Sequence, residues 1–279
     1  MNPETNGATS LRGARVLVTG GTRGIGAATV RRLAGAGAEV VAAARTAPDP
    51  VPAGPAGTGP VGAGLVGAGP VRFVAADVAT ADGVAALAEQ ALDLLGGIDT
   101  LVSNAGGQTH RPGGVLHFSD DDWQRDLETN LLSAVRLDRA LLPAMIAQGS
   151  GGSIVHVGSN AARMPRPASL PYTAAKAALT AYSKGLAREA GPHGIRVNVV
   201  LPGLIRTEAL DTRMASLARQ AGATPDSVLE STVAALGIPL ERAGTADDVA
   251  QLIAFLVSPA AAYLTGSQFT VDGGALPTV

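Results

Sequence analysis

Residues 15 to 26 read RVLVTGGTRGIG. A short run of β-forming residues passes directly into a glycine-rich turn, and the turn opens an apolar helical pattern, GIGAATVRRLAG. A phosphate-binding strand–turn–helix needs that order. Glycines let the backbone turn tightly and approach a pyrophosphate, while the free N–H groups and positive dipole end of the helix stabilise the anion. Gly20, Gly24 and Gly26 are the glycines expected to serve this purpose, with Thr22, Arg23 and Ile25 lying between them in the same turn. Because the chain holds 36 glycines, the turn matters for its position between strand and helix more than for its composition.

Outward from this turn, short apolar β-type runs alternate with longer helical patterns, which predicts βαβ units and a parallel sheet covered on both faces. Strands are expected at 15–19, 38–43, 71–75, 99–103, 153–158, 195–200 and 267–271. Helices are expected at 24–36, 81–95, 120–147, 171–190 and 245–257, with a further helical stretch over 204–235. The fold class is therefore α/β: a Rossmann-like, doubly wound, seven-stranded parallel sheet in a single domain over residues 14–279. A loose leader is expected at 1–13. Between the second and third strands, residues 50–71 carry no charge and include 12 glycines and prolines among 22 residues, so a Gly/Pro-rich surface insertion is expected over 47–70. The other long uncharged stretch, 251–271, is divided by Pro259 and Gly266, and neither is expected to span a bilayer.

At 279 residues with 46% hydrophobic content, the chain can bury a sizeable core. Its net charge of -2 offers no general basic field for nucleic acid or an anionic membrane. The absence of cysteine excludes a disulfide framework and a thiolate nucleophile, and it makes a cytoplasmic setting the simpler expectation. The four histidines, His110, His117, His156 and His193, have no ligand-like spacing, so no metal site is implied.

Chemistry is concentrated later in the chain, in SLPYTAAKAALTAYSKGL, where Tyr172 and Lys176 stand four residues apart and Ser159 precedes the tyrosine by thirteen. On a helix that spacing puts the phenol and the ammonium on one face, about one turn apart. A nearby cation favours the phenolate and is expected to draw the phenol's pKa down from about 10. Of 21 basic residues only Lys176 and Lys184 are lysines, and a compact ammonium does work that a guanidinium fork does not. The second strand, EVVAAA, ends at Arg45, where a fold preferring the unphosphorylated cofactor would place a carboxylate. Together with Arg23 in the glycine turn, Arg45 suits a 2′-phosphate. NADP(H) is the expected cofactor, with NAD(H) the second choice.

Taken together, these pieces resemble the short-chain dehydrogenase/reductase family in its single-domain form, from about Arg15 to Gly274. The TGxxxGIG turn is followed by Asp77-Val78, where the family's aspartate approaches the adenine, and by Asn104-Ala105-Gly106 after the fourth strand. Asn130, Ser159, Tyr172 and Lys176 match the family's catalytic tetrad, and Pro202-Gly203 with Thr207 looks like its segment beside the nicotinamide. One small departure is Ser103, where many members have a second asparagine. The resemblance implies that Tyr172 is the general acid/base, that Lys176 depresses its pKa and bonds the nicotinamide ribose, and that Ser159 donates to the substrate oxygen. It implies that Asn130 holds a water linking Lys176 to solvent. The implied reaction interconverts a carbonyl and a secondary alcohol. Two alternatives are a 3-oxoacyl thioester reductase, for which Arg136 and Arg139 would form a docking face for an acidic carrier, and a non-catalytic dinucleotide sensor or assembly subunit.

Residues 204–243 mix Leu204, Ile205, Leu210, Met214 and Leu217 with charge, as expected of a substrate lid. The loop GQTHRPGGV, with His110 and Arg111 as polar contacts, and the segment after Ser159 would complete the pocket wall. Homotetramer assembly is expected through the helices beginning near Trp123 and Pro171, with Leu131, Leu132, Val135, Leu137, Leu141 and Leu142 as the apolar face.

Overall fold

A computed structural model describes residues 10–47 and 71–277. Most of the expected leader and insertion, including Asp49, lies outside the described residues.

Seven strands form one parallel sheet: β1 (Arg15–Thr19), β2 (Glu39–Ala44), β3 (Val71–Ala75), β4 (Thr100–Ser103), β5 (Gly152–Val157), β6 (Ile195–Pro202) and, as its last member, β9 (Gln268–Val271). Their order is β3-β2-β1-β4-β5-β6-β9, so the direction of winding reverses between β1 and β4. A crevice for a ligand opens at that reversal, beyond the carboxyl ends of the strands. The expected strands are all present, with ends shifted by at most two residues. Two short strands that the sequence does not announce, β7 (Ile205–Arg206) and β8 (Gly244–Thr245), pair with each other apart from the main sheet.

Helices cover both faces. α1 (Gly24–Gly35) and α8 (Ala246–Val257) lie on one side, over a core that includes Val16, Val18, Val30, Leu33, Val249 and Ile253. On the other side, α2 (Ala81–Leu95), α4 (Ser133–Gln148) and α5 (Leu170–Ala190) enclose Leu17, Leu87, Leu101, Leu137, Leu141 and Ile154. The buried strands read as continuous apolar runs because both faces are covered. His156 is fully buried on the second side, with Nδ1 at 2.6 Å from Ser183 Oγ and Nε2 at 3.1 Å from Asp138 Oδ2, and so joins β5 to α5 and α4.

The single helix expected over 120–147 is instead three pieces. α3 (Asp120–Leu127) runs into a π-helical turn over Glu128–Leu132, and α4 follows. The amide of Ser133 reaches back five residues to the carbonyl of Glu128. Likewise 204–235 divides into α6 (Glu208–Ala221) and α7 (Pro225–Ala235), interrupted by Gly222 in the left-handed region and Pro225 at the start of α7. No helix among the described residues is long and apolar enough to cross a membrane.

Candidate active site

The glycine turn is held by its neighbour loop. Thr19 Oγ1 accepts hydrogen bonds from the amides of Asn104 and Ala105, both at 3.1 Å. Asn104 returns the clamp, its Nδ2 donating to the carbonyls of Thr19 at 2.9 Å and Gly20 at 3.2 Å. Gly20 and Gly24 have φ of 65° and 53°, a conformation that favours glycine. At Gly26 the reason for glycine is contact, since a Cβ there would stand 2.0 Å from the Gly20 carbonyl oxygen. Arg23, the residue before α1, places no side-chain cap on the helix start.

The four expected catalytic residues come from three elements. Ser159 stands just after β5, Tyr172 and Lys176 lie on α5, and Asn130 sits in the π-helical turn. Ser169 and Pro171 start α5 so that its first turn faces the end of β5. With Asn104, Gly106, Pro202, Gly203, Ile25 and Thr207, the four residues line one cleft of about 310 Å³. Asn130 explains the interrupted helix: its Nδ2 donates to the carbonyls of Gly107 at 2.7 Å and Asp126 at 2.9 Å, and its Oδ1 accepts from the Gly107 amide at 3.2 Å. A side chain bound so fully to backbone is turned inward by the widened turn, a use of π-helical geometry that recurs at functional sites.

Lys176 is buried and its Nζ donates to the carbonyl of Val157 at 2.8 Å. The same Nζ lies 5.9 Å from the centroid of the Tyr172 ring. Glycine at position 106 keeps open the space between Lys176 and Asn130. A Cβ on Gly106 would stand 3.5 Å from Lys176 Nζ and 2.9 Å from Asn130 Oδ1.

The electrostatics differ in one respect from the expectation. Burial raises the Tyr172 pKa above its ordinary value, a hydrogen bond with Ser159 opposes that rise, and the charge of Asp126 adds to it. The expected depression by Lys176 does not enter this balance, in which desolvation of the phenolate is the largest effect. Lys176 itself is lowered from 10.5 to about 8 by burial. Tyr172 is therefore protonated at neutral pH, the form that can give a proton to a carbonyl oxygen.

A stability effect follows with a definite sign. Below about pH 8 both folded and unfolded chains protonate Lys176, and the folded state carries the full cost of burying the ammonium. Between about 8 and 10.5 the unfolded chain binds more protons, so stability rises with pH across that window, by about 3 kcal/mol at most. The measurement is the urea midpoint of the parent minus that of Lys176→Met, followed from pH 7 to 11 in steps of about half a unit. A difference that is flat or falls with pH would contradict the burial of a charged lysine.

Other expected site residues lie around the cleft. Arg45 follows β2, whose Ala43 is in register with Thr19 of β1, so the residue stands beside the glycine turn. Arg23 and Arg45 are both exposed, and among the described residues neither guanidinium has a hydrogen-bonding or ionic partner. Asp77 follows β3, with Oδ1 accepting from the Ala79 amide at 3.1 Å, and Val78 packs on the core beside it. Thr207 caps α6, and its methyl group is 3.2 Å from where a Cβ on Gly24 would stand.

Several expectations are corrected. Arg111 does not face the cleft: its guanidinium is paired with Asp122 at 2.9 Å, holding that carboxyl at about 2, below the usual range. Arg136 is half-buried and occupied by Glu128 and the Ala79 carbonyl, which leaves Arg139 exposed without it. Of the apolar face expected for assembly, Leu137, Leu141 and Leu142 belong to the monomer core, while Leu131, Leu132 and Val135 are half-buried. Sequence reasoning missed Thr19, the pivot of the two loops, and Asp126, which accepts from the Thr109 amide at 3.1 Å and hydroxyl at 2.8 Å. Asp126 stands four residues before Asn130, and that spacing was the available signal.

A reversal in a parallel sheet, a glycine turn at its mouth, and a Ser–Tyr–Lys group in the same cleft define an oxidoreductase of the dinucleotide-binding class. Residues 20–275 match the family model described as enoyl-(acyl carrier protein) reductase. The chain belongs to the short-chain dehydrogenase/reductase family. It is 36% identical over 258 residues to the short-chain reductase protein NovJ of Streptomyces niveus, covering 92% of each. It is 37% identical over 270 residues to a 3-oxoacyl-[acyl-carrier-protein] reductase of Synechocystis, covering 95% of this chain and 98% of the relative. Among solved structures, L-sorbose reductase from Gluconobacter frateurii, complexed with NADPH and L-sorbose, is similar at a TM-score of 0.87 and 33% identity, with 98% of this chain and 100% of that chain covered.

Proposed function

We propose that this chain is an NADP(H)-dependent enzyme that interconverts a carbonyl and a secondary alcohol, with Tyr172 as the general acid/base. The observation that carries this reading is the convergence of Asn130, Ser159, Tyr172 and Lys176 on one cleft from three separate elements. A nicotinamide cofactor supplies the hydride. The residues fit such a group: at the start of α1 the Gly24 amide is taken by Glu208, but those of Ile25 and Gly26 have no acceptor among the described residues, and a Cβ at Gly106 would intrude into the cleft between Lys176 and Asn130.

Within that cleft Ser159 orients the substrate oxygen and stabilises the charge that develops on it. Tyr172 delivers its proton to that oxygen. Lys176, held by the Val157 carbonyl, balances the charge left on the phenol, passes a proton to it, and is itself reprotonated from solvent by way of the gap beside Gly106 and Asn130. The protonated phenol is the form that serves reduction, and the phenolate is the form that serves the reverse oxidation. The reading is tested by screening aldehydes, ketones and alcohols for consumption or formation of NADPH by absorbance. Failure of every carbonyl class to consume NADPH would count against it.

Arg23 and Arg45 carry the preference for NADP(H) over NAD(H), since both guanidiniums stand unpartnered among the described residues beside the glycine turn. The solved relative complexed with NADPH supports this choice. Replacing both by alanine is expected to bring kcat/KM for NADPH down by about 10²-fold, consistent with two lost charge-assisted contacts, and to leave NADH within a few-fold of its parent value. A variant that keeps the parent's preference would remove the assignment.

A 3-oxoacyl thioester substrate is the second reading, favoured by relatives of that name at 34–37% identity. Turnover of acetoacetyl thioesters decides it. The expected carrier-docking face is reduced to Arg139, because Arg136 is occupied. Residues 204–243 act as the substrate lid, and a broad groove of about 940 Å³ runs between α7 and the 164–168 segment. The chain assembles as a homotetramer, for which the half-buried Leu131, Leu132 and Val135 remain as contact residues. Sedimentation of a stable monomer would refute that.

A further inference from the structure

The amide of Gly24, the first N–H of α1, donates to Oε2 of Glu208 at 3.2 Å, across 184 residues of sequence. α2, α3, α6, α7 and α8 are each capped by the hydroxyl of the residue just before them, Thr80, Ser119, Thr207, Thr224 and Thr245. α1, like α4 and α5, has no such cap; it carries no acidic residue in its first turn, and its one side-chain acceptor among the described residues comes from the start of α6. Glu208 has no cationic partner among the described residues, whereas its neighbour Arg206 is paired with Asp211 at 3.1 Å and Asp226 at 3.4 Å. A carboxylate is thus held at the one helix start whose amide the proposed function reserves for the cofactor's phosphates.

We infer that Glu208 is a built-in competitor for the phosphate seat of the glycine turn, and that cofactor binding must expel it. The inference rests on the dinucleotide reading above. A carboxylate and a diphosphate need the same donors and the same positive dipole end, and they repel one another at short range. Expulsion of Glu208 also frees the first turn of α6, whose cap Thr207 lies against Gly24, so the loss of this contact is passed directly to the proposed lid. Glu208 therefore sets cofactor affinity and ties lid position to the state of the turn. It takes no part in proton or hydride transfer.

The experiment is equilibrium binding of NADPH, read by its fluorescence, to the parent and to Glu208→Gln, at low and high salt. Glu208 is exposed at the surface, so the glutamine variant keeps the fold. The expected result is about fivefold tighter NADPH binding by the variant at low salt, with the gain shrinking as salt screens the repulsion. Adenosine 2′-monophosphate, which lacks the pyrophosphate, is expected to bind parent and variant equally. Equal or weaker NADPH binding by Glu208→Gln, or an equal gain for adenosine 2′-monophosphate, overturns the competitor. A parent that binds neither NADPH nor NADH overturns the dinucleotide reading itself, and the competitor with it.

Discussion

Tyr172→Phe is expected to lower kcat by about 10²- to 10⁴-fold, the range that a positioned general acid contributes, while NADPH binds with nearly unchanged affinity. The ring stays and only the hydroxyl leaves, so the packing at the start of α5 is preserved. Ser159 keeps the Ala161 amide at 3.1 Å. Because Tyr172 and Ser159 are proposed to act on the same substrate oxygen, removing both is expected to cost far less than the product of the single losses. The check is a pair of measurements on one sample, turnover by absorbance and cofactor binding by fluorescence. Near-parental turnover would end the role of the phenol, and a parallel loss of binding would move it from proton transfer to cofactor placement.

The second large effect belongs to Gly26→Ala. A Cβ at this position would lie 2.0 Å from the Gly20 carbonyl oxygen and 2.5 Å from Asn104 Nδ2, distances that no rotamer can relieve because the first atom is backbone. Either the glycine turn opens or α1 shifts, and both break the clamp through which Asn104 and Thr19 hold the two loops. Overpacking of a close-packed site costs about 1–3 kcal/mol, so the variant is expected to unfold several degrees lower. Its NADPH affinity should fall by more than tenfold, since the amides of the turn no longer converge. Gly35→Ala is the matched control, with nothing within 4 Å of its Cβ. A Gly26→Ala protein with parental melting and binding would show that the turn is looser than these contacts require.

The sheet was legible because its signal is local and repeated. β1, β2, β4, β5 and β6 are largely buried runs, the edge strands β3 and β9 are less so, and β1, β3 and the start of β6 fall at their expected positions. The glycine turn and the Tyr172–Lys176 spacing were equally readable, since each depends on residues within one turn of chain. What escaped the sequence depends on partners far apart. Arg111 and Asp122 are eleven residues apart, and Arg136 and Glu128 eight, outside the three- and four-residue spacings by which helical ion pairs are found. The π-helical turn escaped for another reason: ETNLL has ordinary helical residues, and its extra residue is enforced by the hydrogen bonds of Asn130 to Gly107. The effect of burial on Tyr172 and Lys176 likewise required knowing how deeply α5 is seated.

An α-helix advances about 100° for each residue, so α3 and α4 are rotated out of phase by the one extra member that the π-helical turn accommodates. Loss of any single residue between Glu128 and Leu132 would therefore yield a smoother helix and a worse protein. Everything downstream would swing by more than a quarter of a circle, carrying Leu137 and Leu141 out of the interior and pointing Asp138 away from His156. Insertions and deletions in this short stretch are penalised by phase, however conservative the residues involved.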